Sequence, residues 1–198
     1  MISGIPIWTV LLIGCGVFCA SFVDAIGGGG GIISVPVYLL AGLPTHFALG
    51  TNKLSSGIGT AASTFRYLKN GYVDWMLAIP SVVFALVGAH LGTKLQIAID
   101  ERYLKYLLLI FCNFAKMDLR TASGNVKVVN LSSNIGALFT SLMAGKVLVP
   151  VGLIVAVFSI AGHYIGAGLT IKNGAKIVRP VILIVLVLLA IKVVTELI

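Results

Sequence analysis

The sequence predicts an all-α protein: a multi-pass bundle of transmembrane helices. Of its 198 residues, 59% are hydrophobic and only 10% are charged, and the mean hydropathy is +1.09. Soluble domains carry about 25% charged residues, so a soluble chain of this composition would lack the polar residues that cover a surface. No polar linker or low-complexity tract divides residues 1–198, which predicts a single membrane domain.

Apolar segments follow one another along the chain with short loops between them. A helix that spans a bilayer needs about 20 mostly apolar residues. The second segment is too short to span, and we interpret it as a half-helix or re-entrant arm. The predicted segments are Pro6–Ala25, Ile32–Gly42, His46–Leu68, Trp75–Ile97, Tyr103–Phe114, Ala122–Ala144, Val147–Ile171 and Val178–Leu197.

Five consecutive glycines, Gly27 to Gly31, separate the first two segments, with Asp24 before them and Pro36 after them. Irregular backbone at membrane depth is tolerated only where protein or a water-filled cavity satisfies its polar groups. In secondary transporters a broken helix of this kind indicates the substrate site. The alternative is a flexible packing kink, although a kink needs far fewer glycines.

A shift of 74 residues superposes two stretches of the chain. It places Gly50 on Gly124 and Lys53 on Lys127, and later Gly88 on Gly162. We predict a first repeat at residues 1–112 and a second at 113–198, with a substrate site at their interface. Duplication that serves only helix packing is the alternative. The second repeat lacks a counterpart of the first helix hairpin, around Cys112 and Asn113.

The distribution of charged and potentially reactive residues argues against nucleic-acid binding and against catalysis. The net charge is +8, but the cations stand mostly at the ends of apolar runs, where they orient membrane proteins. No hydrolase or phosphate-loop motif is present, so we expect neither an enzyme nor a cofactor or metal. The cysteines are expected in core packing, and the histidines in bonds across helices. These residues are Cys15, Cys19, Cys112, His46, His90 and His163.

Several motifs together resemble one family. They are Asp24-x-x-Gly27 to Gly31 with Pro36, Ala48-Leu-Gly-Thr-Asn-Lys53, Gly71-Tyr-Val-Asp-Trp75, Lys127-Val-Val-Asn130-Leu-Ser-Ser-Asn134, Gly145-Lys146-Val147 and Gly174-Ala-Lys176-Ile-Val-Arg179-Pro180. With them the chain resembles the TauE/SafE sulfite exporters over nearly its whole length. The resemblance implies a multi-pass transporter in the cell membrane, built from two related halves, for sulfite or organosulfonates.

The expected partners are a small anionic substrate and the lipid bilayer, without nucleic acid, and a homo-oligomer is left open. At one place the chain departs from the family. The second half of the family normally carries its own acid-plus-glycine segment, which this chain lacks. Either the gene has an internal deletion or the sequence omits a stretch.

The candidate substrate-binding residues fall into three groups. Successive glycine N–H groups and the start of the following helix form an anion nest. A lysine inside an apolar segment is a functional candidate, so two lysines related by the repeat would converge on one anion, unless both snorkel to the interface. The groups are Gly27, Gly28, Gly29, Gly30 and Gly31; Thr51, Asn52, Lys53 and Ser55; and Asn125, Lys127, Asn130 and Asn134.

Asp24 and the function leave alternatives open. Asp24 is a proton-coupling candidate, or it caps the arm or pairs with a lysine. The chain is predicted to be a secondary transporter or exporter of small sulfur-containing anions. The alternatives are a truncated, non-transporting membrane paralogue and an anion channel, which would use the same pore residues without alternating between states.

Overall fold

The computed structural model describes residues 4–96, 119–174, 176–178, 180, 181 and 184. These residues form six α-helices, which we number in chain order. The helices are α1 Ile7–Gly27, α2 Gly31–Leu40, α3 Thr45–Lys69, α4 Trp75–Gln96, α5 Leu119–Met143 and α6 Val149–Asn173. The all-α prediction is therefore confirmed for the described part of the chain.

The helix ends follow the glycines and prolines. α1 stops at the glycine run because Gly28 and Gly29 have φ angles of +80° and +84°, which a residue with a side chain adopts only with strain. Gly42, with φ of +85°, follows the end of α2. Pro150 lies in the first turn of α6, where its missing N–H leaves no helical hydrogen bond unmade.

α3 lies at the centre of the described bundle. It contacts α6, α5 and α2, while α1 packs against α6 and α2, and α4 packs against α5. Small residues allow the closest of these approaches. A Cβ added to Gly162 of α6 would collide with the backbone of α1 at Phe18 and Phe22, and one added to Gly166 would collide with the Phe22 carbonyl oxygen.

The bundle has a polar interior and an apolar exterior. Large apolar side chains are exposed on several helices, including Trp8 at 76% and Phe84 at 77%. Exposed apolar area of this extent indicates a surface that contacts lipid or other apolar partners. The buried polar and charged side chains include Asp24, Asn52, Thr60, Lys127, Asn134, Ser159 and His163.

Two of the described helices, α1 and α6, are long and apolar enough to cross a bilayer. The apolar stretches Gly31–Leu40 and Trp75–Gly88 are shorter. α3 and α5 each have 25 residues, but many of their side chains are polar. The predicted segment Tyr103–Phe114 and most of Val178–Leu197 lie outside the described residues. A multi-pass topology and a re-entrant path for α2 stay predictions.

Two pairs of helices keep the offset seen in the sequence. α3 ends at Lys69 and α5 at Met143, 74 residues later. α4 begins at Trp75 and α6 at Val149, again 74 residues later. α3 contacts α6 as α5 contacts α4, and α3 and α5 contact each other. These contacts are the ones that two related halves would make, and the repeat itself stays a prediction.

The close approach of α6 to α1 gives a first testable prediction. In Gly162→Ala the new methyl group meets backbone atoms of α1, so we expect a loss of about 1–3 kcal/mol, typical of overpacking. Gly88 is the matched control, since it lies 74 residues earlier and a Cβ there meets nothing within 4 Å. Gly88→Ala should leave thermal stability in detergent unchanged or raise it. Equal melting temperatures for the two variants would contradict this packing.

Candidate functional site

Asp24, in the last turn of α1, receives hydrogen bonds from several segments. Lys127 Nζ of α5 donates to Asp24 Oδ2 at 2.8 Å and also to the Asp24 backbone carbonyl. His163 Nε2 of α6 lies 3.1 Å from the same Oδ2, and Asn130 Nδ2 lies 3.4 Å from it. The Gly30 N–H donates to Oδ1 at 3.0 Å. Both oxygens of the carboxylate are therefore satisfied.

The Asp24–Lys127 ion pair is buried. Only 1% of Lys127 is exposed, and 9% of Asp24. A buried charge costs several kcal/mol unless an opposite charge and hydrogen bonds compensate it. Asp24 and Lys127 each supply the opposite charge that compensates burial of the other, so the pair fixes the end of α1 to α5. Of the three roles considered for Asp24, pairing with a lysine is seen. α2 has no side-chain cap, although Asp24 accepts the N–H of Gly30 just before it, and proton coupling stays a prediction.

The glycine break is built around the same carboxylate. The Gly28 N–H donates to the Asp24 backbone carbonyl at 2.8 Å, and the Gly30 N–H binds the side chain. A Cβ on Gly30 would collide with Asp24 and with the Ala20 carbonyl oxygen, so the chain can turn this closely only with glycine there. The anion held by the Gly30 N–H is thus the protein's own carboxylate.

The two lysines that the 74-residue offset places in register have different surroundings. Lys53 Nζ of α3 donates to Asn134 Oδ1 of α5 at 3.2 Å. Among the described residues, the ion pairs within 4.0 Å are those of Asp24 with Lys127 and with His163, so Lys53 has no carboxylate partner there. Within the described part of the chain, Lys127 is neutralised by Asp24, whereas Lys53 has only an amide oxygen as its partner.

A cavity of about 460 Å³ lies between the glycine break and α3, α5 and α6. Lys53 is part of its wall, and so is Ser34 of α2. Ser34 is 2% exposed, and its Oγ has no hydrogen-bond partner among the described residues. A buried hydroxyl without a partner is uncommon. The cavity wall therefore includes Lys53 and a serine whose buried hydroxyl has no described partner.

The structure brings most of the predicted substrate-binding residues to this cavity. The predicted residues in its wall are Asp24, Gly28, Gly29, Gly30, Gly31, Asn52, Lys53, Asn130 and Asn134. Those outside the wall are Gly27, Thr51, Ser55, Asn125 and Lys127. Three of the latter join segments. Thr51 Oγ1 accepts from the Leu148 N–H, Ser55 bonds to the Tyr38 hydroxyl, and Asn125 accepts from the Asp74 N–H. The role of every one of them in substrate binding stays a prediction.

Eight residues of the cavity wall were not predicted as site residues, and two of them, Ser34 and His163, matter most for its chemistry. Ser34 lies in an apolar helix, and only its position just after the glycine run could have indicated it. His163 was expected to bond across helices, and it does so with Asp24 and with Thr60, whose Oγ1 lies 3.3 Å from Nε2. A lone imidazole within an apolar run was the signal for it.

A serine, a histidine and an aspartate are in contact in the order of a hydrolytic triad, namely Ser159, His163 and Asp24. Their arrangement does not allow them to act as one. Ser159 Oγ lies 3.4 Å from His163 Nδ1, yet Ser159 is fully buried, bonds to Ser21 and is not in the cavity wall. A nucleophile must reach its substrate. The described residues also contain no group of three His, Cys, Asp or Glu that could hold a metal. The wall can instead hold a small anion by charge and hydrogen bonds.

Comparisons with known proteins agree with these features. The family described as Sulfite exporter TauE/SafE matches residues 12–115 and 107–193. A "Probable membrane transporter protein ORF9" of Sinorhizobium sp. is 27% identical over 90% of both chains. A "Probable membrane transporter protein" of Haemophilus influenzae is 26% identical over 98% of this chain and 96% of its own. No solved structure gives a significant match.

The alignments are longer than the chain. The match to the Haemophilus influenzae protein extends over 248 positions, whereas this chain has 198 residues, so at least 50 positions have no counterpart here. The two family matches meet at residues 107–115. Together these matches cover most of the sequence, and the chain therefore belongs to the TauE/SafE sulfite exporter family, a family of membrane transporters.

Proposed function

We propose that this protein is a multi-pass secondary transporter of small sulfur-containing anions, sulfite or organosulfonates, which bind in the cavity beside Lys53. The observation that carries the proposal is Lys53 in the cavity wall, with no carboxylate within 4.0 Å among the residues that the structure describes. Inside a protein an ammonium group without a counter-ion is unfavourable. An anion from solution that enters the cavity would supply the counter-ion that Asp24 supplies to Lys127.

The hydrogen-bond donors of the cavity suit an oxyanion. The Ser34 hydroxyl is unused, and the side-chain amides of Asn52 and Asn130 are in the wall. Sulfite and sulfonate groups each present three oxygen atoms, which accept hydrogen bonds from such donors. The start of α2 is adjacent, and the positive end of its helix dipole favours a negative charge. A volume of about 460 Å³ is also within the usual range for small-molecule sites.

The apolar exterior and the 74-residue offset support a multi-pass protein of two related halves. In that arrangement Asp24 and the first glycine break belong to one half, and Lys127, which Asp24 neutralises, belongs to the other. A second acid-plus-glycine segment would place its acid beside Lys53 in the same way. This chain lacks such a segment, and among the described residues no carboxylate lies within 4.0 Å of Lys53.

A truncated, non-transporting paralogue is the second candidate, and the length of the alignments favours it. The Haemophilus influenzae relative has at least 50 positions without a counterpart here, and a transporter could need them for alternation between states. An anion channel is the third candidate. Sulfite counterflow in proteoliposomes separates the three, because a transporter gives saturable exchange, a channel gives flux without counterflow, and an inert paralogue gives neither.

Substitution of Lys53 tests the site itself. We expect Lys53→Ala to weaken binding of methanesulfonate to the detergent-solubilised protein at least tenfold, because the counter-charge of the anion is lost. Isothermal titration calorimetry measures the affinity. Lys69→Ala is the matched control, since Lys69 is an exposed lysine in the last turn of the same helix, and it should bind as the unmodified protein does. Unchanged affinity in Lys53→Ala would reject the site.

The two lysines should differ in what their loss does to stability. Lys127→Met leaves the Asp24 carboxylate buried without its main partner, which costs about 3–5 kcal/mol. We therefore expect a large fall in melting temperature for Lys127→Met and a smaller one for Lys53→Met. The double variant Asp24→Asn/Lys127→Met removes both charges and should recover much of the loss. If Lys127→Met and Lys53→Met melt alike, the structural role of the Asp24–Lys127 pair is wrong.

A further inference from the structure

The two ring nitrogens of His163 contact groups that differ in whether they donate or accept hydrogen bonds. Nδ1 is 3.0 Å from the Ser159 backbone carbonyl oxygen and 3.4 Å from Ser159 Oγ. Nε2 is 3.1 Å from Asp24 Oδ2 and 3.3 Å from Thr60 Oγ1. The carbonyl and carboxylate oxygens only accept, but the hydroxyls donate or accept. Each nitrogen therefore has one partner for its protonated form and one for its proton-free form.

Both protonation states of His163 are satisfied in this geometry. A neutral imidazole accepts a hydrogen bond at Nε2 from the Thr60 hydroxyl. An imidazolium donates from Nε2 to Asp24 Oδ2. Neither state leaves a buried nitrogen without a partner, which would cost about 1–3 kcal/mol. A histidine that only joins helices needs one partner for each nitrogen, whereas His163 has a separate partner for each state of Nε2.

Hydrogen bonds connect this imidazole to the proposed anion site. Lys53 Nζ donates to Asn134 Oδ1 at 3.2 Å, which turns the Asn134 amide nitrogen toward Thr60 Oγ1, 3.5 Å away. Thr60 in turn reaches His163. We propose that His163 carries a proton that is taken up together with the anion, and that Asn134 and Thr60 connect it to Lys53. This inference rests on the proposed anion site.

The charges around the cavity give the sign of the coupling. Four charged or titratable groups are involved: Asp24 on α1, Lys53 on α3, Lys127 on α5 and His163 on α6. On α2, the described titratable group is Tyr38, whose hydroxyl bonds to Ser55. Asp24 and Lys127 cancel, so the site has one positive charge from Lys53 when His163 is neutral. A proton on His163 adds a second charge, and a bound monoanion removes one.

The anion and the proton therefore favour each other. Uptake of one monoanion with one proton leaves the net charge of the site unchanged, because each ligand cancels the charge that the other adds. Coupling between two ligands is reciprocal. Anion binding should accordingly tighten as the pH falls and His163 takes up its proton, by a factor of up to about ten per pH unit. Once the proton is lost, the affinity should level off at a weaker value.

The test is calorimetry with methanesulfonate, which stays a monoanion throughout the neutral pH range. The whole protein in detergent is titrated at several pH values, in buffers of different ionisation enthalpy, so that the protons taken up per anion are counted. We expect uptake of up to one proton in the unmodified protein. His163→Gln should bind with no uptake and with a flat pH profile. His46→Gln is the matched control, since His46 is exposed at the start of α3, and it should behave as the unmodified protein.

Thr60→Val gives an independent reading if His163→Gln does not fold. Valine keeps the shape of threonine but removes the hydroxyl that donates to the neutral imidazole. The protonated state then loses its competitor, and tight anion binding should extend to higher pH. A Thr60→Val profile identical to that of the unmodified protein would contradict the two-state role of Nε2.

The remaining outcomes separate the coupling from the anion site. Binding of methanesulfonate without proton uptake by the unmodified protein would overturn the coupling and leave the site intact. Uptake that persists in His163→Gln would overturn the role of His163. No binding of methanesulfonate or sulfite to the unmodified protein would overturn the proposed site, and the coupling with it.

Discussion

The neutralisation of one buried carboxylate organises the centre of this protein. Asp24 ends the last turn of α1, receives the Gly30 N–H at the start of α2, and binds Lys127 of α5 and His163 of α6. Four of the six described helices thus meet at one side chain. Each of these bonds helps to offset the desolvation of the charge, so the acid is stable in place only when all the helices are assembled around it.

The close approach of the helices around Asp24 depends on glycines as well as on charge. Gly30 allows the backbone to approach Asp24, and Gly162 allows α6 to approach α1. On α3, a Cβ at Gly59 would collide with Ser159 and His163. Helices without these glycines would stand farther apart, and the side chains between them would no longer be within hydrogen-bond distance. In a lipid environment, where no hydrophobic force drives helices together, such close packing and interhelical hydrogen bonds hold a bundle.

An unequal distribution of acids gives the cavity its chemical character. The chain has a lysine at corresponding positions of α3 and α5, but a carboxylate is paired only with Lys127 among the described residues. The Asp24–Lys127 pair therefore lies on one side of the cavity and Lys53, without a described carboxylate partner, on the other. The hydrogen bonds from Asn134 through Thr60 to His163 connect the two sides, and the coupling of anion and proton that we propose relies on this connection.

The sequence by itself determined the helical class, the membrane character and the approximate helix bounds, because composition and the placement of glycine and proline act locally. It also indicated the glycine break, the lysines and the asparagines, since polar residues in apolar segments are few. Only the tertiary structure decided which lysine is paired. Lys53 and Lys127 stand in equivalent local sequences, and the carboxylate that distinguishes them lies 103 residues from Lys127. Ser34 and His163 were missed for the same reason. The partners of a side chain depend on which helices pack together, and the sequence of one helix does not reveal which helix will pack against it.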